Sequence, residues 1–477
     1  MMKFDFNRRT KIVSTLGPAT DTPEIIERLI RAGTNVVRLN LSHGSFSQHA
    51  RHIKVVQKLN RSTGNYTAIL IDLPGPKYRI GRLMGGEVLL KKGQIVNLTT
   101  RDMEGTSSIL PINLPELPQD VRKGDTLLLA DGLLVLKVVK TSGTEILCRV
   151  ITGGTLETGK GLVVPGRHVS APFITPITRA AILFAIRQKP DFLALSFVSS
   201  ADDILKVKTI LQENGVNIPL ISKIERVEAV KNLESILEAS DAIMVARGDL
   251  GVEIPMEKVP LIQKEIIRRC NHAGKPVITA TEMLESMVNA SRPTRAETTD
   301  VANAIFDGTD AVMLSAETAI GKYPIAAVSM MARIAREVEK KLPYERILTE
   351  RGNWIKPETD ELISYNACHT AYSLKAAAIV AYTQSGSTAR RVSHFRPKTP
   401  VLAINPNNKI CGSLVLCWGV FPVRGKKLSN ISDTFDTAAS LCRQLKLAKP
   451  GKLIVITGGI PFGQAGSTNM LKVEKIS

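Results

Sequence analysis

Aromatic side chains are scarce: Phe, Tyr and Trp make up 4% of the 477 residues, so a surface that stacks unpaired bases is not expected. No apolar run reaches the ~18–20 residues that a membrane span requires. The first ten residues are polar and lack the apolar core of a signal peptide. No Cys-x-x-Cys pair occurs. The six cysteines (Cys148, Cys270, Cys368, Cys411, Cys417 and Cys442) are scattered, which argues against a thiolate metal cluster and suits reduced, buried thiols in a cytoplasmic setting. Lys and Arg number 63 against 44 Asp and Glu, a net charge of +19, yet no long basic tract is present. Basic and acidic residues interleave throughout, so the expected partners are small anions steered by a basic surface, with no nucleic acid and no membrane. Otherwise 44% hydrophobic and 22% charged residues are ordinary for a globular chain. At roughly 100–200 residues per domain, the length predicts two to four domains.

Short β-branched runs recur at 11–16, 35–40, 67–72, 191–197, 219–224, 241–246, 276–280 and 310–315. Most are nearly continuous apolar segments, as parallel strands buried on both faces require. Helical patterns fall between them, for example at 23–32, 202–213, 257–273 and 324–341. Eight strands alternating with helices predict a (β/α)8 TIM barrel. The third interval breaks this rhythm. Between Asp72 and Asp191 the chain is dense in Gly, Val and Leu, alternates like strands at 87–90 and 126–129, and is punctuated by glycine turns. That pattern predicts an inserted all-β lid over 74–168, with Pro74, Pro76 and Pro165-Gly166 as hinges. The barrel then spans 1–73 and 169–344. A C-terminal α/β domain with a mostly parallel sheet is expected over 345–477, with strands near 378–383, 400–405, 419–423 and 452–457 and helices near 388–395 and 433–445.

In such a barrel the chemistry lies at the C-terminal ends of the strands. Nearly every strand exit here is polar: Arg38, Asn40, Ser42 and His43 on the second, Asp72 on the third, Ser196-Phe197 on the fourth, Lys223 and Glu225 on the fifth. The sixth runs into Arg247-Gly248-Asp249, the seventh into Thr281-Glu282, the eighth into Ser315 and Glu317. Glu225 and Asp249, on neighbouring strands, can converge on one hard cation such as Mg2+. Lys223 and Arg38 add fixed positive charge suited to a phosphoryl group in transfer. A lone Lys-x-Glu is more often a surface pair; the grouping on one rim points to a metal-assisted reaction of an anionic substrate. Lys223 could instead form a Schiff base, as in barrel aldolases, although carboxylates beside it favour its protonated form.

Several segments resemble pyruvate kinase along essentially the whole chain: RLNLSHG at 38–44, ISKIERVEAV at 221–230, MVARGDLGVE at 244–253, ATEMLESM at 280–287, PTRAE at 293–297, DVANA at 300–304 and MLSAET at 313–318. The resemblance implies transfer of a phosphoryl group from phosphoenolpyruvate to ADP, giving pyruvate and ATP. It implies Mg2+ (or Mn2+) on Glu225 and Asp249, with Lys223 and Arg38 on the transferring phosphate. Thr281 and the backbone of Gly248 and Asp249 would receive the substrate carboxylate, and Thr281 or Ser315 would pass the proton to the enolate. Asn40, His43, Arg79 and Lys160 match positions on the nucleotide side, Lys160 being presented by the lid. A homotetramer is also implied.

The departures from that pattern are informative. Members that need K+ bind it at positions matching Asn40, Ser42, Asp72 and the next residue, often Thr; here that residue is Leu73, which offers no ligand oxygen. Lys77 stands where that type carries Glu. An ammonium can supply the charge the ion would have supplied, so K+ is not expected to be required. Glu282, Tyr78, Ala130, Thr178 and Pro74 also depart from the usual residues, and suggest altered kinetics or regulation more than lost catalysis. In the C-terminal domain Thr383, Ser385, Gly386, Ser387 and Thr388 join a strand to a helix, where hydroxyls and helix N-terminal amides make a phosphate cradle. The loop resembles the family's effector site for a phosphorylated allosteric ligand, with 463–468 as a facing wall. Two other readings stay open from the residues alone: a barrel lyase or aldolase acting on a 2-oxo acid, and a non-catalytic regulator or RNA-binding protein exploiting the charge.

Overall fold

Each of the eight apolar runs contains a strand. The computed structural model, which describes residues 4–63, 66–167, 170–425, 431–461 and 468–477, places them at Lys11–Thr15, Val36–Asn40, Ala68–Leu73, Phe192–Leu195, Leu220–Ile224, Ala242–Ala246, Val277–Ala280 and Ala311–Leu314. They close in chain order into a parallel barrel, the first pairing with the eighth. The third strand shows why these runs read as continuous. All six of its residues are buried: Ala68 and Leu70 face the barrel interior with Phe192, Ala194, Ile221 and Met244, while Ile69, Ile71 and Leu73 face the helices.

The surrounding helices follow local rules. Pro23–Ala32 starts at Thr22, whose hydroxyl accepts the Ile25 N–H at 3.4 Å, and ends at Gly33, whose φ of 135° suits glycine. The helix expected over 257–273 is shorter. A 3-10 turn, Met256–Lys258, precedes Val259–His272, because Pro260 lacks an N–H and fits only the first helical turn.

The insertion after the third strand is an all-β lid. Its seven-stranded sheet runs, across the sheet, Tyr78–Arg79, Gly161–Val163, Thr126–Leu129, Leu134–Ser142, Glu145–Thr152, Ile95–Thr99 and Ile109–Pro111. Leu98, Leu127, Leu136 and Ile146 belong to a core of its own. Its root is pinned to the barrel: Thr178 Oγ1 donates to the Pro74 carbonyl at 3.1 Å and Arg226 to the Pro76 carbonyl at 2.8 Å. The unusual Tyr78 hydrogen-bonds Asp120 within the lid, and Ala130 takes a left-handed turn with φ 49°.

In the C-terminal domain, Val420–Arg424, Val401–Asn405, Ala378–Tyr382 and Leu453–Gly459 form a parallel sheet. Thr468–Lys475 adds an antiparallel edge strand that the sequence reading missed; its half-exposed Thr-Asn-Met-Leu-Lys-Val-Glu-Lys carries little apolar signal. This domain plugs the barrel floor. Val415 and Leu416 join the interior cluster of the strands, each worth about 1.5–3 kcal/mol if fully buried. Nearby, a Cβ on Gly412 would lie 1.7 Å from Asp191 Oδ1 and 3.0 Å from Tyr66 Cε1. Gly412→Ala is therefore expected to destabilise the docked domains by about 1–3 kcal/mol or more. Thermal unfolding checks it: an unchanged melting temperature would contradict this packing.

Candidate active site

The strand exits meet on one rim. Arg38, leaving the second strand, donates from Nε to Asp72 Oδ2 at 2.8 Å and from a terminal nitrogen to Thr15 Oγ1 at 3.0 Å. Lys223, on the fifth strand, places its ammonium 2.8 Å from Glu225 Oε1, 3.4 Å from Asp72 Oδ2 and 2.9 Å from Ser196 Oγ. Ser196 in turn donates to Asp72 Oδ1 at 3.1 Å. Phe197, in the left-handed region at φ 59°, donates its N–H to Glu225 Oε2 at 2.6 Å. Gly75 at the lid root lies against this turn, since a Cβ there would sit 2.4 Å from the Ser196 carbonyl oxygen.

The electrostatics follow from burial of opposed charges. Burial pushes the fully buried Glu225 carboxyl up, and Asp249 adds to that rise against the opposing pull of Lys223. Burial disfavours the Lys223 ammonium too, but Asp72 and Glu225 outweigh it and raise the group above its ordinary value. Lys223 is therefore a fixed cation, unsuited to attack a carbonyl as a free amine. Asp72 is held below the usual carboxylate range: burial alone would raise it, and Lys223 and Arg38 prevail.

The Asp249 side is organised by the lid root. Lys77 Nζ sits 2.6 Å from Asp249 Oδ1, and with Lys223 it holds Asp249 below the usual range against burial. The Lys77 stem runs along the lid backbone, where a Cβ on Gly161 would lie 2.7 Å from Lys77 Cε. Lys77, expected as the replacement for an ion among Asn40, Ser42, Asp72 and Leu73, has its charge paired with Asp249, while Arg38 and Lys223 meet Asp72. The physical reason is reach: the residue sits at the lid root, packed on the backbone at Gly161. Leu73 is buried and packs with the outer core.

Thr281 and Glu282 are consecutive left-handed residues, φ 68° and 53°. Arg247 holds them, donating to the Thr281 carbonyl at 2.6 Å and the Glu282 carbonyl at 3.1 Å while pairing with Asp300 at 2.6 Å. Thr281 Oγ1 accepts the Gly248 N–H at 2.8 Å and donates to the Ala280 carbonyl at 2.6 Å, so this amide already has a protein partner. Ser315 differs: its hydroxyl is buried without a partner among the described residues, and its N–H is held by Glu317 at 2.7 Å.

The nucleotide-side positions are less drawn together. Asn40 Oδ1 accepts the Ser42 N–H at 3.1 Å. Arg79 donates to the Gly159 carbonyl at 3.0 Å, and Lys160 pairs with Glu157 at 3.2 Å, both within the lid. Burial, then Arg79 and Arg38, lower His43, which favours neutral imidazole. In the C-terminal loop, Gly386 at φ 91° opens the helix Ser387–His394. Ser385 Oγ lies 3.2 Å from Ser387 Oγ, Thr383 Oγ1 is buried without a partner among the described residues, and Thr388 Oγ1 is 2.7 Å from Thr468 Oγ1. Of the expected facing wall, 463–467 lie outside the described residues. Sequence reasoning missed the roles of Thr15, Ser196, Phe197, Arg226 and Arg247; the polar Ser196-Phe197 exit was the one available signal.

Comparison with known proteins agrees with this architecture. Residues 7–328 match the family described as "Pyruvate kinase, barrel domain", and residues 361–474 that described as "Pyruvate kinase, alpha/beta domain". The pyruvate kinase of Geobacillus stearothermophilus is 45% identical over 473 residues, covering 98% of this chain and 81% of that protein. That of Clostridium acetobutylicum is 42% identical over 471 residues, covering 98% and 100%. A closed barrel with an inserted lid, a plugged floor and a buried Lys–Glu–Asp rim, matched along nearly its full length by these relatives, identifies the chain as a member of the pyruvate kinase family.

Proposed function

We propose that this chain moves the phosphoryl group of phosphoenolpyruvate to ADP, giving pyruvate and ATP. The observation that carries the reading is the Lys223 ammonium, fixed between Asp72 and Glu225 at the mouth of the barrel. Lys223 meets the charge that spreads over the phosphoryl oxygens during transfer, and Arg38 clamps the same group. Thr281, with the backbone at Gly248 and Asp249, receives the substrate carboxylate, the Gly248 N–H and the Thr281 hydroxyl exchanging their present acceptors for the ligand. With Thr281 engaged there, the Ser315 hydroxyl, without a partner among the described residues, suits the relay to the enolate better. Asn40, His43, Arg79 and Lys160 serve the nucleotide, and closure of the lid over 74–168 on the barrel of 1–73 and 169–344 excludes water.

Two hard carboxylates just beyond adjoining strands, Glu225 after Leu220–Ile224 and Asp249 in the helix that follows Ala242–Ala246, fit a divalent ion that keeps waters and substrate oxygens as its other ligands. Among the described residues no group of three or more His, Cys, Asp or Glu gathers to hold a metal. Asp249 Oδ1 is engaged by Lys77, so its second oxygen is the one available. Mg2+ or Mn2+ there would neutralise charge on the transferring group.

The raised Lys223 disfavours the aldolase reading, since a protonated amine forms no Schiff base. A coupled assay separates the classes: pyruvate is expected to form only with phosphoenolpyruvate, ADP and the divalent ion together, and pyruvate made without ADP overturns the kinase reading. Monovalent cations are a second test. With K+ replaced by tetramethylammonium the enzyme is expected to keep most of its activity, because Lys77 supplies a fixed charge; loss of most activity refutes this.

The domain at 345–477 is read as regulatory, with a phosphorylated effector held at Thr383, Ser385, Gly386, Ser387 and Thr388. The resemblance supports a homotetramer, and exposed Met256, Leu261 and Ile320 on the barrel are apolar surface that assembly could cover. Six free, buried cysteines suit a cytoplasmic enzyme. No helix among the described residues is long and apolar enough to cross a membrane.

A further inference from the structure

At the seam between the barrel floor and the C-terminal domain lies a cavity of about 450 Å3, within the range of roughly 300–1,000 Å3 usual for small-molecule sites. Phe306, Tyr344, Ile347, Trp354 and Trp418 line it, so both tryptophans of the chain border one space. Arg351 and Arg396 also line it, only 6% and 5% exposed.

The charges there do not balance. Arg396, left-handed at φ 51°, donates from both terminal nitrogens to Asp310 at 2.8 Å. Arg351 donates to the His394 carbonyl, a neutral acceptor, and has no ion pair among the described residues. Burial, then repulsion from Arg396, drives the Arg351 guanidinium well below its ordinary value; Asp310 and Glu350 offset only part of this, and the guanidinium lies over the Trp354 ring, 5.4 Å from its centroid. Of the cavity's own carboxylates, Asp307 pairs with Lys264, and Glu350 divides its charge between Arg346 at 3.4 Å and Arg351. Two further donors, Arg396 Nε and Trp418 Nε1, are buried without any partner among the described residues. Buried N–H groups are seldom left unmade, and buried cations seldom lack a counter-charge. A guanidinium short of negative charge, two unsatisfied donors and a flat aromatic wall call for the same kind of occupant.

We infer that this cavity binds a small organic anion, its carboxylate or phosphate headgroup received by Arg351, Arg396 and Trp418 and its apolar body packed on Trp354 and Phe306. This site is separate from the barrel mouth and from the Thr383–Thr388 loop. The planar Arg351 guanidinium matches either headgroup, with the Nε–H of Arg396 and the indole N–H of Trp418 as further donors, and the ring wall selects an anion that carries a hydrophobic body over a bare ion.

Intrinsic tryptophan fluorescence of the full chain reports the site directly. Phenyl phosphate and 3-phenylpropionate are the probes, with benzyl alcohol and inorganic phosphate as controls. A saturable change is expected with at least one probe, with no change from the alcohol and weaker binding of inorganic phosphate; which probe binds tells phosphate from carboxylate recognition. Arg351→Met, which removes a charged hydrogen-bond partner of the anion while relieving a repulsion, and Phe306→Glu, which sets a like charge on a half-exposed wall residue, are each expected to weaken binding about tenfold or more. Trp354→Phe is expected to remove much of the signal while calorimetry still shows binding. No response to either probe means a cavity that holds water only, and a response that survives both Arg351→Met and Phe306→Glu places the anion elsewhere; either result overturns the assignment.

Discussion

Lys223→Met is expected to lower kcat for pyruvate formation by about 10²–10³-fold or more, with a much smaller change in KM for phosphoenolpyruvate. The ammonium is held 2.8 Å from Glu225 and 3.4 Å from Asp72, out of bulk water. In that setting its field acts most strongly on charge that appears only as the phosphoryl group leaves, so its loss falls on kcat. The substitution also strips the counter-charge from two buried carboxylates, at a cost of about 3–5 kcal/mol when a buried pair is broken. Circular dichroism and thermal unfolding therefore accompany the kinetics, and Lys223→Arg keeps the charge while losing the fit to Ser196 Oγ. Folded Lys223→Met with near-parental kcat would remove Lys223 from the reaction. The pH profile supplies a sign check. Because Lys223 is raised on folding, its stabilising contribution is complete below the ordinary lysine value and is lost only as pH rises through the raised one. Any loss of activity on the acid side therefore belongs to other groups.

Lys77→Glu carries the second large effect. The lysine sits 2.6 Å from Asp249 Oδ1, and a carboxylate in its place sets two like charges together. At about 4 Å near a protein surface such a pair is unfavourable by about 4 kcal/mol, close to a thousandfold in rate if it falls wholly on the transition state. Activity without monovalent cations is expected to collapse accordingly. In Lys77→Glu, added K+ is expected to restore part of it. If the single variant works as well as the parent without any monovalent cation, the role given to Lys77 is wrong.

The barrel was legible because parallel strands buried on both faces cannot avoid continuous apolar runs; Ala68–Leu73 is the plain instance. The rim was legible because polar residues cluster where those runs stop. What escaped was pairing across distance. Lys77 and Asp249 are 172 residues apart, and nothing local in Gly75-Pro-Lys reveals that the ammonium turns to Asp249 and not to Asp72. Ser196 and Phe197 were visible as a polar exit, but a backbone N–H aimed at Glu225 by a left-handed residue leaves no mark in composition. The edge strand Thr468–Lys475 and the buried arginines of the domain seam escaped for a related reason: half-exposed strands and interdomain charges both look like ordinary surface in one dimension.

Leu73 of the third strand pairs with Leu195 of the fourth, although the entire lid is threaded between them. During synthesis three strands thus leave the ribosome with two unpaired edges, Lys11–Thr15 awaiting the eighth strand and Ala68–Leu73 awaiting a neighbour that is translated only after the lid. Unpaired edges of this kind invite association with other nascent chains. Because the lid has a core of its own, its collapse before the fourth strand emerges would shorten the gap that the Ala68–Leu73 edge must span.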